Sequence, residues 1–468
     1  MRSRRVLLFT CCLAQLIVVL DSSILTVALP QISTDLAMTT TDLPWIVNAF
    51  AIPIAGLLLL SGKLSDRYGA KPVLLAGTLI FTVASLLGGL APDAGALISA
   101  RIGQGVGAAL ISPATLMLLS TSFSTGSARA RAFGLWGAAS GSGGAIGVLA
   151  GGILVEGTSW RWTLLVNVPL GAGLVVLLLF FVAGIQPSRS RGRLDFAGAI
   201  AGTTAVTALA LAFASLESPL LDVGPAVWIA LAVIAAGLFI LIELKWVSYP
   251  LLPLRRLSGK SLWVLPGAMF LIGGAMTGTF YFLTLYFQLH QGLAPLETGL
   301  AFLPLSAAAF IAAAATHPLS KKLGVLRAAT LAVILMTAAL GTMSGAAHAG
   351  STVIIIMVSV LFGAGMGVAI STIADLVTAS FPSEMTGIAS GVLTTAQQTG
   401  NTIGLAALVS LDTGTGTGST SHGTPLAGAA FMTFAAALCI LNYSKKRRRN
   451  PQQPSLKVIT YDRSQDIV

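Results

Sequence analysis

"WIVNAFAIPIAGLLLLSGKLSDRYGAKPVLLAGTLIFTVASLLGGL", residues Trp45–Leu90, sets two apolar runs on either side of a short charged knot. The knot, Gly62–Lys71, holds Lys63, Asp66, Arg67 and Lys71, although the chain as a whole is only 9% charged and 55% hydrophobic. A run that spans a bilayer needs about 20 apolar residues, and in hydrocarbon it satisfies its own backbone only as a helix. The stretch therefore reads as two membrane helices joined by a turn that stays in water.

The pattern repeats along all 468 residues, whose mean hydropathy is +0.88. Fourteen spans of about the required length can be placed, roughly at 6–29, 43–61, 72–90, 95–119, 132–154, 163–184, 196–216, 225–244, 263–286, 297–316, 328–346, 352–375, 386–411 and 426–443. The runs do not alternate as barrel strands would. The expected class is an all-α polytopic membrane protein.

Charge placement tests this map. With the N-terminus in the cytoplasm, 25 of the 27 Lys and Arg residues fall on the inner side, as the positive-inside rule requires. Arg161 falls in an outer loop and Arg101 within a span. The net charge of +11 thus faces the inner leaflet and its anionic lipid, and does not point to nucleic acid. The basic start followed by an apolar run resembles a signal peptide, but the run continues through Asp21 to Leu29 and reads as an uncleaved first helix. Cys11, Cys12 and Cys439 have no metal or disulfide spacing. No loop is long enough for a soluble domain, which excludes a nucleotide-driven motor or a soluble output domain within this chain. Residues 412–425, "DTGTGTGSTSHGTP", read as a flexible outer linker, with His422 simply solvated.

Two echoes suggest repeated halves. "LSDRYG" (Leu64–Gly69) returns as "LSKKLG" (Leu319–Gly324), and "GVGAALIS" (Gly105–Ser112) returns as "GMGVAIST" (Gly365–Thr372). They match if two spans are an insert. The expected organisation is a six-helix half over 1–190, two inserted helices over 191–258, a second six-helix half over 259–444 and a basic cytoplasmic tail over 445–468. Repeated halves with a site between them mark secondary transporters.

A carboxylate in the membrane is costly unless it is protonated, paired or facing water. Asp21 in span 1 is therefore a candidate for chemistry, and Arg101 in span 4 lies at a similar depth, with Gln104 one turn further along. Gly143, Gly147 and Gly151 recur every four residues in span 5 and permit close helix contact; without a preceding strand they are no nucleotide fingerprint. Asn48, Gln288, Gln397 and Asn401, with the aromatic Tyr281, are candidates for lining a substrate cavity, or for bonding helix to helix.

Together these motifs resemble the major facilitator superfamily, and within it the 14-span drug:proton antiporter branch. Gly62, Leu64, Asp66, Arg67, Gly69 and Lys71 are similar to its loop 2–3 signature, and "LISARIGQGVGAA" to its span 4 signature. "LDSSILTVALP" around Asp21, "WRWTLLVNVPLG" (Trp160–Gly171) and "LYFQLHQGLAPLETGLAFLP" (Leu285–Pro304) resemble the same branch. Gly143, Gly147, Gly151 and Gly152 match the antiporter signature of span 5, although Val148 stands where that signature has proline. The resemblance implies export of drugs, antiseptics or antibiotics against inward proton flow, with no cofactor and a monomeric state. It implies proton coupling by Asp21, Arg101 and Gln104, and a cytoplasmic gate at Gly62, Asp66, Arg67, Gly69 and Lys71. Relatives that export dications carry a further acid within span 10; here Glu297 lies at its outer mouth. A proton-coupled uptake symporter, or a siderophore or metabolite exporter, shares the fold and stays open as the alternative.

Overall fold

The computed structural model describes residues 2–39, 42–123, 126–182, 195–214, 223–246, 263–379, 386–413 and 423–449. Among these residues the chain is helical, with no strand. The helices are α1 (Arg2–Asp35), α2 (Leu43–Tyr68), α3 (Ala70–Gly89), α4 (Ala94–Ser122), α5 (Gly126–Gly157), α6 (Arg161–Leu165), α7 (Asn167–Phe180), α8 (Phe196–Ala214) and α9 (Pro225–Leu241). They continue as α10 (Val264–Leu285), α11 (Pro295–Ala314), α12 (Thr316–Leu323), α13 (Val325–His348), α14 (Thr352–Ala379), α15 (Thr386–Thr413) and α16 (Gly423–Arg449). π-helical turns, Ile242–Trp246 and Tyr286–His290, extend α9 and α10.

Within the described residues each predicted span overlaps a helix, the sixth being divided between α6 and α7. Among the described residues, nine helical stretches are long and apolar enough to cross a membrane, and α2, α5, α8 and α16 each contain a shorter apolar stretch. The chain is a multi-pass membrane protein. The side chains of Lys63 and Asp66 lie outside the described residues, as do the basic connections at 183–194 and 247–262, most of the 412–425 linker with His422, and the tail beyond Arg449.

Helix packing repeats in two sets. In the first, α1 packs on α5, α2 and α3 on α4, and α3 on α7; in the second, α10 packs on α15, α11 and α13 on α14, and α13 on α16. Between the sets, α5 meets α11 and α15 meets α2, the same pairing with the halves exchanged. Such an exchange is what a twofold relation produces. The inserted helix α8 packs on α9, and also on α2 and α15, so it covers one of these two seams. Thr203 of α8 donates to the Gly56 carbonyl of α2 at 2.8 Å, fixing that contact.

The first echo is a repeat in backbone geometry. Gly69 ends α2 and starts α3 with φ 92°, ψ 145°; Gly324 ends α12 and starts α13 with φ 83°, ψ 140°. A positive φ favours glycine at both. The second echo needs a correction of register. A Cβ on Gly107 would lie 2.7 Å from the Gly77 carbonyl oxygen and from Phe81 N of α3; one on Gly365 would lie 2.7 Å from the Ala332 carbonyl oxygen and from Met336 Cγ of α13. Likewise Gly105 abuts the Phe50 carbonyl of α2, and Gly363 the Leu305 carbonyl of α11. Gly107 therefore matches Gly365, where letter matching pairs Gly105 with Gly365. Packing fixes which glycine faces which neighbour, and a glycine-rich string read by letters slides by two residues.

Two apolar cores result. One joins Leu25, Leu29 and Leu43 of α1 and α2, Val155 of α5 and Trp160 to the buried faces of α10–α16. The other takes Cys11, Ile17, Phe50, Leu58, Leu74, Leu119 and Leu178 from the opposite end of α1–α4 and α7, where Arg67 and Lys71 also lie. The core is thus continuous between the two helix sets at the end away from the basic loop.

Candidate functional site

Five helices converge on one buried polar cluster. Asp21 of α1 and Arg101 of α4 are 0% and 1% exposed, and Arg101 Nη1 donates to Asp21 Oδ2 at 2.6 Å. The same nitrogen donates to Gln104 Oε1 at 2.8 Å. Gln104 stands one turn beyond Arg101, so both side chains leave α4 on one side. Its Nε2 donates to Asp21 Oδ1 and to Ser85 Oγ of α3, both at 2.8 Å. Arg101 Nε donates to the Ile46 carbonyl of α2 at 3.1 Å, and its guanidinium carbon lies 4.3 Å over the Phe50 ring. Asn167 of α7 completes the cluster, its Nδ2 donating to Asp21 Oδ1 at 2.6 Å.

Desolvating two charges costs several kcal/mol per ion, so a buried pair is poor evidence of stabilisation. Breaking one is different: removing either partner leaves an uncompensated charge and costs about 3–5 kcal/mol. Asp21 and Arg101 thus form a unit in which each charge depends on the other. Chemically, the cluster surrounds one carboxylate with a cation and two amide donors in a site closed to solvent.

The sequence reading brings Asp21, Arg101 and Gln104 together, and the structure places them in direct contact. It passes over Asn167, which sits in "WRWTLLVNVPLG" and is 0% exposed. The signal was present: an uncharged polar residue within an apolar run, of the kind that singled out Asn48 and Asn401.

The span 5 glycines divide between two neighbours. A Cβ on Gly147 would lie 2.8 Å from the Leu20 carbonyl oxygen, and one on Gly151 2.6 Å from that of Ile24; Gly143 faces Val19. These three seat α5 against α1, beside Asp21. Gly152 instead faces α11, where a Cβ would lie 2.8 Å from Leu296 Cα. Val148, in place of the signature's proline, is buried, and its carbonyl faces Gly299 of α11.

In the loop 2–3 motif, Lys71 Nζ donates to the Val182 carbonyl at 2.6 Å, just beyond α7. Arg67 is exposed with its guanidinium carbon 5.7 Å from the Tyr68 ring centroid. A Cβ on Gly62 would meet nothing within 4 Å, so no steric need for glycine shows there.

Two of the five cavity candidates, Gln288 and Asn401, are committed to other helices. Gln288 Nε2 donates to the Val27 carbonyl of α1 at 2.9 Å, linking the two helix sets. Asn401 meets Gln398 at 2.8 Å and lies 3.0–3.1 Å from the carbonyls of Gly273 and Gln397, which ties α15 to α10. Asn48 and Tyr281 are each 2% exposed. Glu297 Oε2 accepts from Ala294 N at 2.9 Å and so caps its own helix, and no group of metal-ligating side chains occurs among the described residues.

The profile described as Major Facilitator Superfamily matches residues 11–405. The chain belongs to the Major Facilitator Superfamily. It is 36% identical over 417 residues to the puromycin resistance protein pur8 of Streptomyces alboniger, covering 86% of this chain and 80% of that protein. It is 35% identical over 451 residues to the cephamycin export protein CmcT of Amycolatopsis lactamdurans, covering 92% and 90%. Its fold matches the crystal structure of a D-xylose-proton symporter at a TM-score of 0.67 and 13% identity, over 94% of this chain and 97% of that one. Members of this superfamily are transporters, not enzymes, and act on small molecules. The structure adds that in this member the buried charge cluster belongs to one helix set. Arg101 and Gln104 lie six and three residues before Gly107; Ser359 and Phe362 lie six and three before the equivalent Gly365.

Proposed function

We propose that this transporter exports a lipophilic or cationic drug, antiseptic or antibiotic across the cytoplasmic membrane in exchange for protons. Relatives that are 36% and 35% identical to it over the aligned residues are named for puromycin resistance and cephamycin export. The observation that carries the coupling is the wholly buried Asp21–Arg101 pair at 2.6 Å. Asp21 takes a proton from the outside, its bond to Arg101 weakens, and the proton leaves to the inside as the transporter resets. Asp21, Arg101 and Gln104 form the coupling site. The chain's fourteen spans comprise two six-helix halves, over 1–190 and 259–444, around two inserted helices. Both termini, with the basic tail, are cytoplasmic, and the protein works as a monomer without cofactor.

The continuous apolar core at the end away from Arg67 and Lys71 supports a state closed to the outside. Gln288 and Gly152 serve as contacts of that closure. Cargo enters from the cytoplasm or inner leaflet into a cavity between the halves, near Asn48, Tyr281, Gln397 and Asn401. Gly62, Asp66, Arg67, Gly69 and Lys71 form the opposing, cytoplasmic gate. The test is a drug-susceptibility panel in an efflux-deficient host. Wild type should raise resistance to at least one compound class and Asp21→Asn should not. Equal resistance from both, at matched protein levels, would contradict the assignment. Uptake rather than extrusion in everted vesicles would favour a symporter.

A further inference from the structure

The cluster around Asp21 is complete only for the ionised carboxylate. Its Oδ2 accepts from Arg101, and its Oδ1 accepts from both Gln104 and Asn167. All three neighbours are donors at these bonds. Once Asp21 is protonated, its own O–H becomes a donor and needs an acceptor, because a buried hydroxyl without one is costly. Arg101 has no acceptor. Gln104 Oε1 already accepts from Arg101. Ser85 Oγ accepts from Gln104 and donates to the Phe81 carbonyl at 2.7 Å. One acceptor stands apart: Asn167 Oδ1, buried and without a hydrogen-bond partner, on the amide whose other end touches Asp21.

We infer that Asn167 is a two-state switch that reports the protonation of Asp21. With Asp21 ionised, the amide presents Nδ2–H to Oδ1, as observed. When a proton binds Asp21 Oδ1, the amide rotates half a turn about its Cβ–Cγ bond. The new Asp21 O–H then donates to Asn167 Oδ1. No covalent bond other than the O–H forms or breaks, and departure of the proton returns the amide to its first orientation. One end of the amide is bonded to Asp21 in each state and the other end is unpaired in each, so the two orientations carry comparable costs. Among the described residues Arg101 is the one charged side chain bonded to Asp21; Ser85 of α3, Gln104 of α4 and Asn167 of α7 are uncharged. Asn167 is thus a positioning residue for the proton. It also makes α7 an element that feels the charge on α1, and Lys71 bonds to the carbonyl of Val182, two residues beyond α7's last residue.

This inference rests on Asp21 being the proton site, and infrared difference spectroscopy separates the two. The full-length protein in lipid is compared at high and low pH, unlabelled and with asparagine ¹³C-labelled at the side-chain amide. There are five asparagines in the chain, so the labelled region is sparse. The expected result has two parts. A carboxylic C=O band appears at low pH and is lost in Asp21→Asn. A label-sensitive amide carbonyl band shifts with it, and that shift is lost in both Asp21→Asn and Asn167→Leu. The labelled wild type carries the decision even where Asn167→Leu folds poorly. If the Asp21 band appears and no asparagine band moves, Asn167 is a fixed donor and the switch is refuted while the proton site stands. If no band depends on Asp21, both are refuted.

Discussion

Arg101 and Ser359 hold equivalent places in the two repeated helix sets, each six residues before the glycine that lets its helix approach a neighbour. One is a buried cation with three bonds. The other is a serine whose hydroxyl donates to the Ile356 carbonyl of its own helix at 2.7 Å. The repeat supplies a scaffold, and the charge has been placed on one side of it.

That asymmetry predicts unequal mutants. Ser359→Ala removes one local bond, worth about 1 kcal/mol at most, and should leave drug resistance within about twofold of wild type. Arg101→Lys keeps the charge but loses the fork that reaches Asp21, Gln104 and the Ile46 carbonyl together. It should abolish proton-coupled export while the protein still reaches the membrane. Transport assays at matched expression compare the two, and wild-type export by Arg101→Lys would refute the role given to its geometry.

The neighbouring glycines Gly151 and Gly152 should fail in different ways. Gly151→Leu forces α5 away from the Ile24 carbonyl within one helix set, and overpacking of this kind costs about 1–3 kcal/mol or more. It should lower the thermal midpoint in detergent. Gly152→Leu pushes α5 from Leu296 of the other set, so it should loosen the outer closure and leave each half intact. Labelling from outside at Val27→Cys, introduced into both backgrounds, should rise in Gly152→Leu alone.

Much of this was legible in the sequence, for physical reasons. Apolar run length places the helices, because the bilayer sets the length a spanning segment needs. Asp21 and Arg101 are conspicuous because charges in hydrocarbon are rare, and their similar depth brings them into reach. The register between the repeats was not legible. It depends on which backbone carbonyl each glycine meets, and Gly105, Gly107, Gly363, Gly365 and Gly367 look alike as letters. Asn167 carries the same signal as Asn48 and Asn401, a lone amide in an apolar run, but nothing in that signal ties it to Asp21. The commitments of Gln288 and Asn401 to other helices were hidden likewise, because a polar side chain in a membrane helix names no partner until the fold supplies one.

Gln288 separates closure from cargo binding. Its bond to the Val27 carbonyl joins the helix sets at 2.9 Å. Gln288→Ala should change transport rates for all exported compounds by a similar factor, because it shifts a conformational equilibrium shared by every cycle. A change confined to one compound class would instead place Gln288 in the cargo site. A panel of relative rates for chemically distinct substrates decides between them.

The basic loop offers a further test of gating. Lys71→Met removes the bond to the Val182 carbonyl, and Asp66→Ala removes the one acid from the knot. Both should reduce turnover more than drug affinity, since neither residue is assigned to cargo. Binding measured by tryptophan fluorescence beside transport in proteoliposomes resolves the two effects. Intact turnover in both variants would remove the loop from the cycle.

The central claim is that Asp21 carries the proton, and drug-induced proton release measures it most directly. In everted membrane vesicles energised to an acidic interior, adding an exported drug to the wild type should release protons and relieve quenching of a pH-sensitive dye. Asp21→Asn, present at equal level, should give no release above vesicles that lack the transporter. Wild-type release from Asp21→Asn would contradict the account.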